Sequence, residues 1–277
     1  MTNKFWQGNL NLVYGKHQGQ TKVTHSLLQA PLKVQRPFYP EGNNICHHIL
    51  LHTAGGIVGG DRLNQRLILQ NDAQVVFTTA AAGKVYRSNG EVAKQDISIS
   101  VHQDACLEWL PQETIIFNGA VYHQNIKVDI APGGSWLGWE INRFGRTARG
   151  EKFLQGEWRS HTEIWQQGQP LWIDRQYLQG SEESFSSPNG LAQQPIVASL
   201  VWLGKPVPIE ILEKAQQLYY DSSFLGEAGV TYTQGQGLLC RYRGASTMEV
   251  KSWFMAVWEL LRLSLLERQA FKLRVWQ

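Results

Sequence analysis

The amino-acid sequence predicts a mainly β protein in which large sandwiched or coiled β-sheets precede two C-terminal α-helices. Apolar and polar residues alternate with a period of two in residues 96–101 and 125–130, the pattern of half-buried strands. Comparable stretches recur roughly every 8 to 12 residues. Helical patterns are confined mainly to the C-terminal third. This distribution favours sandwiched or coiled sheets over alternating β and α units.

Turn residues bound further candidate strands along the chain. These candidates are residues 67–69, 73–79, 107–110, 114–117, 136–141, 161–166, 171–178 and 237–242. No repeat, low-complexity segment or linker interrupts the chain, and its 277 residues are enough for one large core. We therefore expect a single domain over residues 1–277 that is rich in strand to about residue 205.

Two amphipathic helices are expected after that point. Pro208 comes just before an apolar face in the first helix, which we expect at about 208–222. The second helix is expected at about 247–267. It follows a capping box, in which Ser246 and Glu249 each bond a backbone N–H of the other.

The second helix has a wide apolar stripe and further apolar residues beside it. The stripe comprises Val250, Trp253, Phe254, Val257, Leu260, Leu261 and Leu265. Trp258, Leu263 and Leu266 fall outside the stripe, so docking the helix on a sheet would leave them uncovered. Exposed apolar clusters mark interaction sites. We therefore expect Trp258, Leu263 and Leu266 to bind a partner protein.

Composition excludes several classes of protein. Lys and Arg number 26 against 23 Asp and Glu, so the net charge of +3 gives no electrostatic footprint for nucleic acid. The 3 cysteines are too few and too scattered for a disulfide framework. No stretch has the length and apolarity of a signal peptide or a membrane span. These features predict a cytoplasmic protein with no membrane or nucleic-acid partner.

Residues 50–61 stand out because an apolar segment carries two Gly-Gly pairs, followed directly by Asp61. Glycine is required where φ is positive or where other atoms approach the backbone closely, so the segment is expected to be buried and sharply turned. The spacing fits neither phosphate-binding motif. There is no G-x-G-x-x-G, and Asp61 stands where a P-loop has lysine. Asp61 is either a turn-stabilising side chain or a carboxylate in a polar passage.

A cysteine and three histidines just before this loop resemble a metal cluster. They are Cys46, His47, His48 and His52. Strand alternation places His47 and His48 on opposite faces, whereas a closed zinc site needs four converging ligands. Tight structural metal binding is therefore not expected, and we predict no tightly bound cofactor.

Three glutamates lie in apolar, tryptophan-rich surroundings. They are Glu108, Glu140 and Glu151. Buried carboxylates are costly unless they are paired or hydrated. Each glutamate can form a buried ion pair, for which Arg87, Arg143 and Arg146 are available. As a set, the glutamates can instead line a hydrated channel.

Several motifs together resemble those of one known family. His52 to Asp61 follows the pattern His-x-x-Gly-Gly-x-x-Gly-Gly-Asp. Closely similar segments follow at residues 78–88, 107–115, 137–140 and 145–153, and weaker ones at 170–172, 187–191 and 274–276. The chain resembles the UreD (UreH) family of urease accessory proteins over most of its length. Gly83 departs from the threonine common there, and residues 204–244 show little similarity.

The resemblance implies a non-catalytic scaffold that is rich in β-structure. Family members bind apo-urease and recruit the helical protein UreF and the nickel-carrying GTPase UreG, and an internal passage for nickel has been proposed. Nickel would be trapped by a cage of imidazoles and thiolates, whereas carboxylates, carbonyls and water hold it loosely. On this basis Asp61, Glu108, Glu140 and Glu151 are expected to line a transient nickel passage.

A second interpretation comes from a different class of protein. Glu140 and Glu151 could be the acid and nucleophile of a β-sandwich glycosidase, or exposed tryptophans could form a carbohydrate-binding module. No serine nucleophile elbow or His-Glu-x-x-His motif is present. We therefore predict that the chain has no catalytic residues, and keep the carbohydrate-active enzyme or binding module as the alternative.

Overall fold

The computed structural model describes residues 5–276, which form two β-sheets and three α-helices. The strands, in chain order, are β1 (Gln7–His17), β2 (Gln20–Gln29), β3 (Leu32–Val34), β4 (Ile45–His52), β5 (Arg62–Leu69), β6 (Gln74–Thr79), β7 (Gly83–Val85), β8 (Ala93–Val101), β9 (Cys106–Trp109), β10 (Thr114–Ile116), β11 (Val121–Ile130), β12 (Ser135–Phe144), β13 (Glu157–Gln166), β14 (Gln169–Gln179), β15 (Ile196–Leu203), β16 (Glu227–Tyr232) and β17 (Leu238–Gly244). The helices are α1 (Glu182–Ser186), α2 (Ile209–Tyr220) and α3 (Thr247–Leu265).

The chain winds as a coil between the two sheets. The first sheet has seven strands in the order β14-β13-β11-β8-β5-β1-β2, and the second has ten, with the main order β16-β17-β15-β12-β9-β6-β4-β3. From β4 to β13 the strands of the main order alternate between the sheets. Each therefore pairs in parallel with the strand one turn away, as β5 does with β8 and β8 with β11. The predicted fold class, coiled β-sheets followed by two C-terminal helices, is confirmed.

Two apolar cores account for the different patterns of the two sheets. One core fills the space between the sheets and includes Leu12, Leu67 and Val128. The other lies between the second sheet and helices α2 and α3, and includes Trp139, Trp202 and Phe254. Strands of the second sheet are therefore buried on both faces, and β12 and β15 are buried almost throughout. The first sheet keeps one polar face and hence the alternating pattern seen in the sequence.

The helices begin where the sequence indicates, but only the serine half of the expected capping box forms, because the Glu249 carboxylate accepts hydrogen bonds from the Leu225 N–H and the Tyr242 hydroxyl. Pro208 precedes α2 at its N-cap, and the Ser246 hydroxyl accepts a hydrogen bond from the backbone N–H of Glu249 at the start of α3. The short helix α1 was not predicted. It begins at Ser181, whose hydroxyl accepts a hydrogen bond from the N–H of Ser184. Among the described residues, no helix is long and apolar enough to cross a membrane.

The predicted exposure of Trp258 is wrong. Its indole is buried against the second sheet, because α3 covers that sheet with a broader face than the predicted stripe and buries Arg262 as well. Leu263 differs, since it is 49% exposed, and Leu266 is partly buried. Of the three residues expected to bind a partner, Leu263 is thus the most accessible.

Candidate functional site

Each of the four glycines in the loop between β4 and β5 is required, either by its backbone conformation or by close packing. Gly55 and Gly60 have φ angles of +77° and +94°, a left-handed conformation that disfavours other residues. Gly56 and Gly59 are instead crowded. A Cβ on Gly56 would collide with the Tyr86 ring, and one on Gly59 would lie 2.5 Å from the hydroxyl of Ser88. The loop is therefore sharply turned, as predicted, but only part of it is buried, because Thr53 to Gly55 and Val58 are exposed.

Asp61 holds this loop in place. Its carboxylate accepts hydrogen bonds from two backbone N–H groups, that of Trp6 at 2.9 Å and that of Val58 at 3.0 Å. The side chain is fully buried and does not line the cavity described next. Of the two roles considered for Asp61, the geometry matches the turn-stabilising one.

A cavity of about 590 Å³ lies between the two sheets beside the loop. It reaches the surface among exposed residues that include Thr53, Ala81 and Lys84. Its polar lining comes from both sheets and includes His52, Gln65, Gln95, Gln112, Tyr122, Gln124, Glu140 and Asn142. A cavity this polar inside an apolar core has room for water or an ion with oxygen ligands.

Glu140 is the carboxylate of this cavity. One of its oxygens accepts a hydrogen bond from the Gln124 amide and the other accepts one from the Ser160 hydroxyl at 3.2 Å. Burial, helped by the nearby charge of Asp174, raises the pKa of Glu140 to about 7. The hydrogen bonds and Arg241 oppose that increase. Glu140 therefore gains and loses its proton near neutral pH.

Polar groups continue beyond Glu140 towards the opposite side of the molecule. A narrow cavity of about 20 Å³ adjoins Glu140. Thr162 and Ser199 also line it, but most of its lining is tryptophan and other apolar residues. The hydroxyl of Ser199 accepts a hydrogen bond at 3.1 Å from Arg241, which pairs with Asp174 at 2.7 Å. The Arg241 side chain is 40% exposed, so this ion pair lies at the protein surface. Polar side chains thus connect the glycine loop with the Asp174–Arg241 pair.

His52 presents free nitrogen atoms to the main cavity. Both ring nitrogens are buried and lack a hydrogen-bond partner within the described part of the chain. Burial lowers the pKa of His52 below its usual value. The imidazole is therefore neutral at neutral pH, the form that binds a metal ion.

Glu108 lies outside this cavity, beneath α3. Its oxygens lie 2.9 Å from the Arg262 Nε and 2.6 Å from an Arg268 Nη, and the Trp258 indole N–H also bonds to it. All these contacts come from α3 and the segment just after it. Glu108 therefore forms a buried ion cluster, with partners that the sequence did not indicate.

Glu151 also lies elsewhere, in the turn after β12. It pairs with Arg146, one of the arginines proposed as a partner, and accepts a hydrogen bond from the N–H of Asn118 at 3.1 Å. Asp61, Glu108 and Glu151 therefore do not line this cavity, contrary to the expectation that they line a passage. Their carboxylate oxygens instead accept hydrogen bonds from N–H groups. Glu140 and Glu151 do not share the cavity either, so the acid and nucleophile of a glycosidase are not assembled.

The Cys46, His47 and His48 cluster does not converge. His48 bonds to the Tyr14 hydroxyl at 2.7 Å on one face of β4, whereas His47 pairs with Glu41 at 2.6 Å on the other. This confirms the opposite orientations expected from strand alternation. Within residues 5–276, no group of three or more His, Cys, Asp or Glu side chains could hold a metal ion.

Comparison with known proteins identifies the family. The model of the family described as "UreD urease accessory protein" matches residues 7–277. A urease accessory protein UreD from Nostoc sp. (strain PCC 7120) is 62% identical over 274 residues, covering 99% of this chain and 97% of the relative. UreD proteins from Microcystis aeruginosa and Acaryochloris marina are 55% and 50% identical, each over 98% of this chain and over 98% and 95% of the relative.

These matches confirm the resemblance drawn from residues 52–61 and the motifs after it. They also confirm the predicted class, a urease accessory protein of nickel metallocentre assembly and not an enzyme. With a family match over residues 7–277 and such identities across almost its full length, the chain belongs to the UreD family of urease accessory proteins.

Proposed function

We propose that this protein is a scaffold for nickel insertion into urease, binding apo-urease together with the accessory proteins UreF and UreG. Family membership over residues 7–277 supports the role, and the balanced charge argues against a nucleic-acid partner. The proposed place of action is the cytoplasm, where the 3 cysteines, all free and buried, stay reduced. Nickel is the cargo of this process and not a resident cofactor.

The observation behind a nickel passage is a route between the sheets that has polar groups along its length and a narrow part lined mainly by apolar side chains. It begins at the glycine loop, passes Glu140 and ends at Asp174 and Arg241. The polar groups in its walls are mostly side-chain amides and hydroxyls, together with the Glu140 carboxylate. Nickel binds such groups more weakly than imidazole or thiolate cages, so an ion can enter and still leave. An all-apolar cavity would exclude the ion, and a closed cage would retain it.

His52 and Glu140 are the proposed contact points along the route. His52 lines the end of the cavity nearest the glycine loop and has unused ring nitrogens. Glu140 lies where the main and narrow cavities adjoin. A single imidazole followed by a single carboxylate gives two weak sites in series. Transfer between weak sites is faster than release from one strong site.

The exposed end of α3 is the proposed site for the helical partner UreF. Leu263 is exposed, Leu266 is partly buried, and Phe271 just beyond the helix is 40% exposed. All three are apolar residues at or just beyond the C-terminal end of α3. Trp258 takes no direct part because it is buried.

The test is nickel delivery to purified apo-urease in the presence of the accessory proteins. Glu140→Gln and His52→Gln should each lower the nickel content of urease, while size-exclusion chromatography shows unchanged assembly of the complex. Glu210→Gln is the matched control, since Glu210 is exposed at the start of α2 and does not line the route. Normal delivery by a double variant that still assembles would contradict the passage. Failure of the wild type to bind urease would contradict the scaffold role itself.

A further inference from the structure

The outer face of the first sheet is a second feature of this protein, and the nickel route does not use it. Aligned side chains form rows across its strands, because parallel strands in register place equivalent residues side by side. One row joins Lys94, His123, Arg159 and Tyr177. The next row, two residues along each strand, comprises Asn9, Asn64, Asp96, Asn125, His161 and Arg175.

Two adjoining depressions make this face a groove across the strands. Their volumes are about 530 and 590 Å³, and both are lined by Asn125 and His161. The groove crosses β1, β5, β8, β11, β13 and β14, a distance of roughly 24 Å at the usual strand spacing. A small anion would fill only part of this length. An extended polymer segment would fill it.

The depression near β14 is positively charged. Lys94, Arg159 and Arg175 line it together with His123 and His161, and none of its described lining residues is acidic. The arginine side chains are well exposed, Arg175 at 71%. Such a cluster of exposed, positively charged nitrogen donors is complementary to negatively charged carboxylates on a partner.

Two glutamates beside this depression offset part of its charge. Glu157 pairs with Arg159 at 2.8 Å and with His123 at 2.7 Å. Glu163 lies 2.8 Å from His161 and 3.8 Å from Arg175. Both glutamates are therefore already paired with these neighbouring side chains. Within residues 5–276, no carboxylate forms an ion pair with Lys94, so its charge is available to a partner.

The depression near β1 is polar but mixed in charge. Side-chain amides form a ladder, in which Asn64 donates to Asn9 at 3.0 Å and Asn125 donates to Asp96 at 2.6 Å. Amide groups both donate and accept hydrogen bonds, as a peptide backbone does. Asp96 and Glu163 line this part together with Arg66 and Lys127. The two carboxylates would repel the continuous phosphates of a nucleic acid where it crossed them.

We propose that this groove binds an extended, acidic segment of a partner protein. Carboxylates of the segment lie over Lys94, Arg159 and Arg175, and its uncharged residues lie along the amide ladder. The length of the groove favours a peptide over a small anion. The acidic residues in the ladder favour a peptide over a nucleic acid. The inference goes beyond the nickel route, because the charged and amide side chains that carry it, on Lys94, Arg159, Arg175, Asn9, Asn64 and Asn125, do not line that route.

The test uses fluorescence anisotropy with the purified full-length protein and a short labelled peptide, half glutamate and half serine. The charge reversals Lys94→Glu and Arg175→Glu, made together, should weaken binding by about tenfold or more. Lys214→Glu on the exposed side of α2 is the control and should bind like the wild type. Binding should also fall as salt is added, because exposed charges are screened.

Three results would overturn the proposal. The first is equal binding by the wild type and the double variant. The second is an equal loss in the Lys214→Glu control, which would show only an effect of net charge. The third is binding of a single-stranded DNA as tight as that of the peptide. Lys94→Gln removes a charge without adding one. Lys94→Gln should weaken peptide binding less than the double variant does. If the double variant folds poorly, the anisotropy measurement on Lys94→Gln still tests the proposal.

Discussion

The indole N–H of Trp258 on α3 donates a hydrogen bond of 2.5 Å to the carboxylate of Glu108 on β9. Arg262 and Arg268 pair with the same carboxylate, and Arg262 also pairs with Glu41 near the N-terminal strands. The side chains of Glu108 and Arg262 are completely buried. This cluster ties the C-terminal helix to the middle of the second sheet. It explains why a charged residue lies in a strand that is otherwise apolar.

We expect Glu108→Gln to destabilise the fold, because a neutral amide leaves Arg268 without its counter-charge and leaves the buried Arg262 with Glu41 alone. Breaking a buried ion pair from one side costs about 3–5 kcal/mol. Urea unfolding followed by circular dichroism measures the change. Glu227→Gln is the control, since Glu227 is 66% exposed and pairs with Arg243 at the surface. Its loss should cost about 1 kcal/mol or less. Equal effects of both variants would contradict the importance of the buried cluster.

Trp258→Ala and Leu263→Ser separate packing from partner binding on α3. Trp258→Ala removes a buried ring and should cost about 3–5 kcal/mol of stability. Leu263→Ser should change stability by about 0.5 kcal/mol or less, because its side chain is half exposed. Co-expression with UreF followed by pull-down measures binding, and thermal unfolding measures stability. Recovery of UreF that is undiminished by Leu263→Ser would exclude this end of α3 as the docking surface.

The sequence predicted the two-residue period of the first sheet and the capped start of α3, because both depend on neighbouring residues. In β8, residues 96–101 alternate as expected, since one face of that strand is exposed. The parallel pairing of β5, β8 and β11 was not predicted. Their residues meet only after the chain has made a full turn, so pairing depends on contacts distant in sequence.

The same reason limited the prediction of site residues. Glu151 and Arg146 are close in sequence, and this pair was among those considered. Glu108 and its partners Arg262 and Arg268 are about 150 residues apart, and no local pattern links them. Gln65, Gln95 and Gln124 line the cavity but were not singled out. A polar side chain at an inward position of an alternating strand is the signal that would have identified them.

Alanine substitutions in the glycine loop distinguish its two kinds of glycine. Gly55→Ala places an L-residue at positive φ in open space, so it should cost roughly 1 kcal/mol. Gly56→Ala forces the Tyr86 ring aside and also brings a Cβ to 2.9 Å from the Lys84 carbonyl oxygen. Crowding of this kind costs about 1–3 kcal/mol. Thermal unfolding of the two variants measures the difference. If Gly56→Ala cost no more than Gly55→Ala, the contact with Tyr86 would be looser than described.

Glu140 should make the stability of the protein depend on pH. In the folded protein its pKa is about 7, whereas the ordinary value is 4.5. Between these values the folded state holds a proton that the unfolded chain has released. The contribution of Glu140 to the free energy of unfolding is therefore fully present below about pH 4.5 and is lost as the pH rises through about 7. Glu140→Gln mimics the protonated form and lacks this decline.

The measurement compares urea unfolding of wild type and Glu140→Gln across this pH range, because the other titrating groups are common to both proteins. Relative to the variant, the wild type should lose on the order of 2 kcal/mol between about pH 5 and pH 8. Glu210→Gln, an exposed change on α2, should show a constant difference from wild type over the same range. A constant difference for Glu140→Gln would mean that Glu140 titrates normally. Its carboxylate would then be hydrated, and the cavity would be open to bulk water.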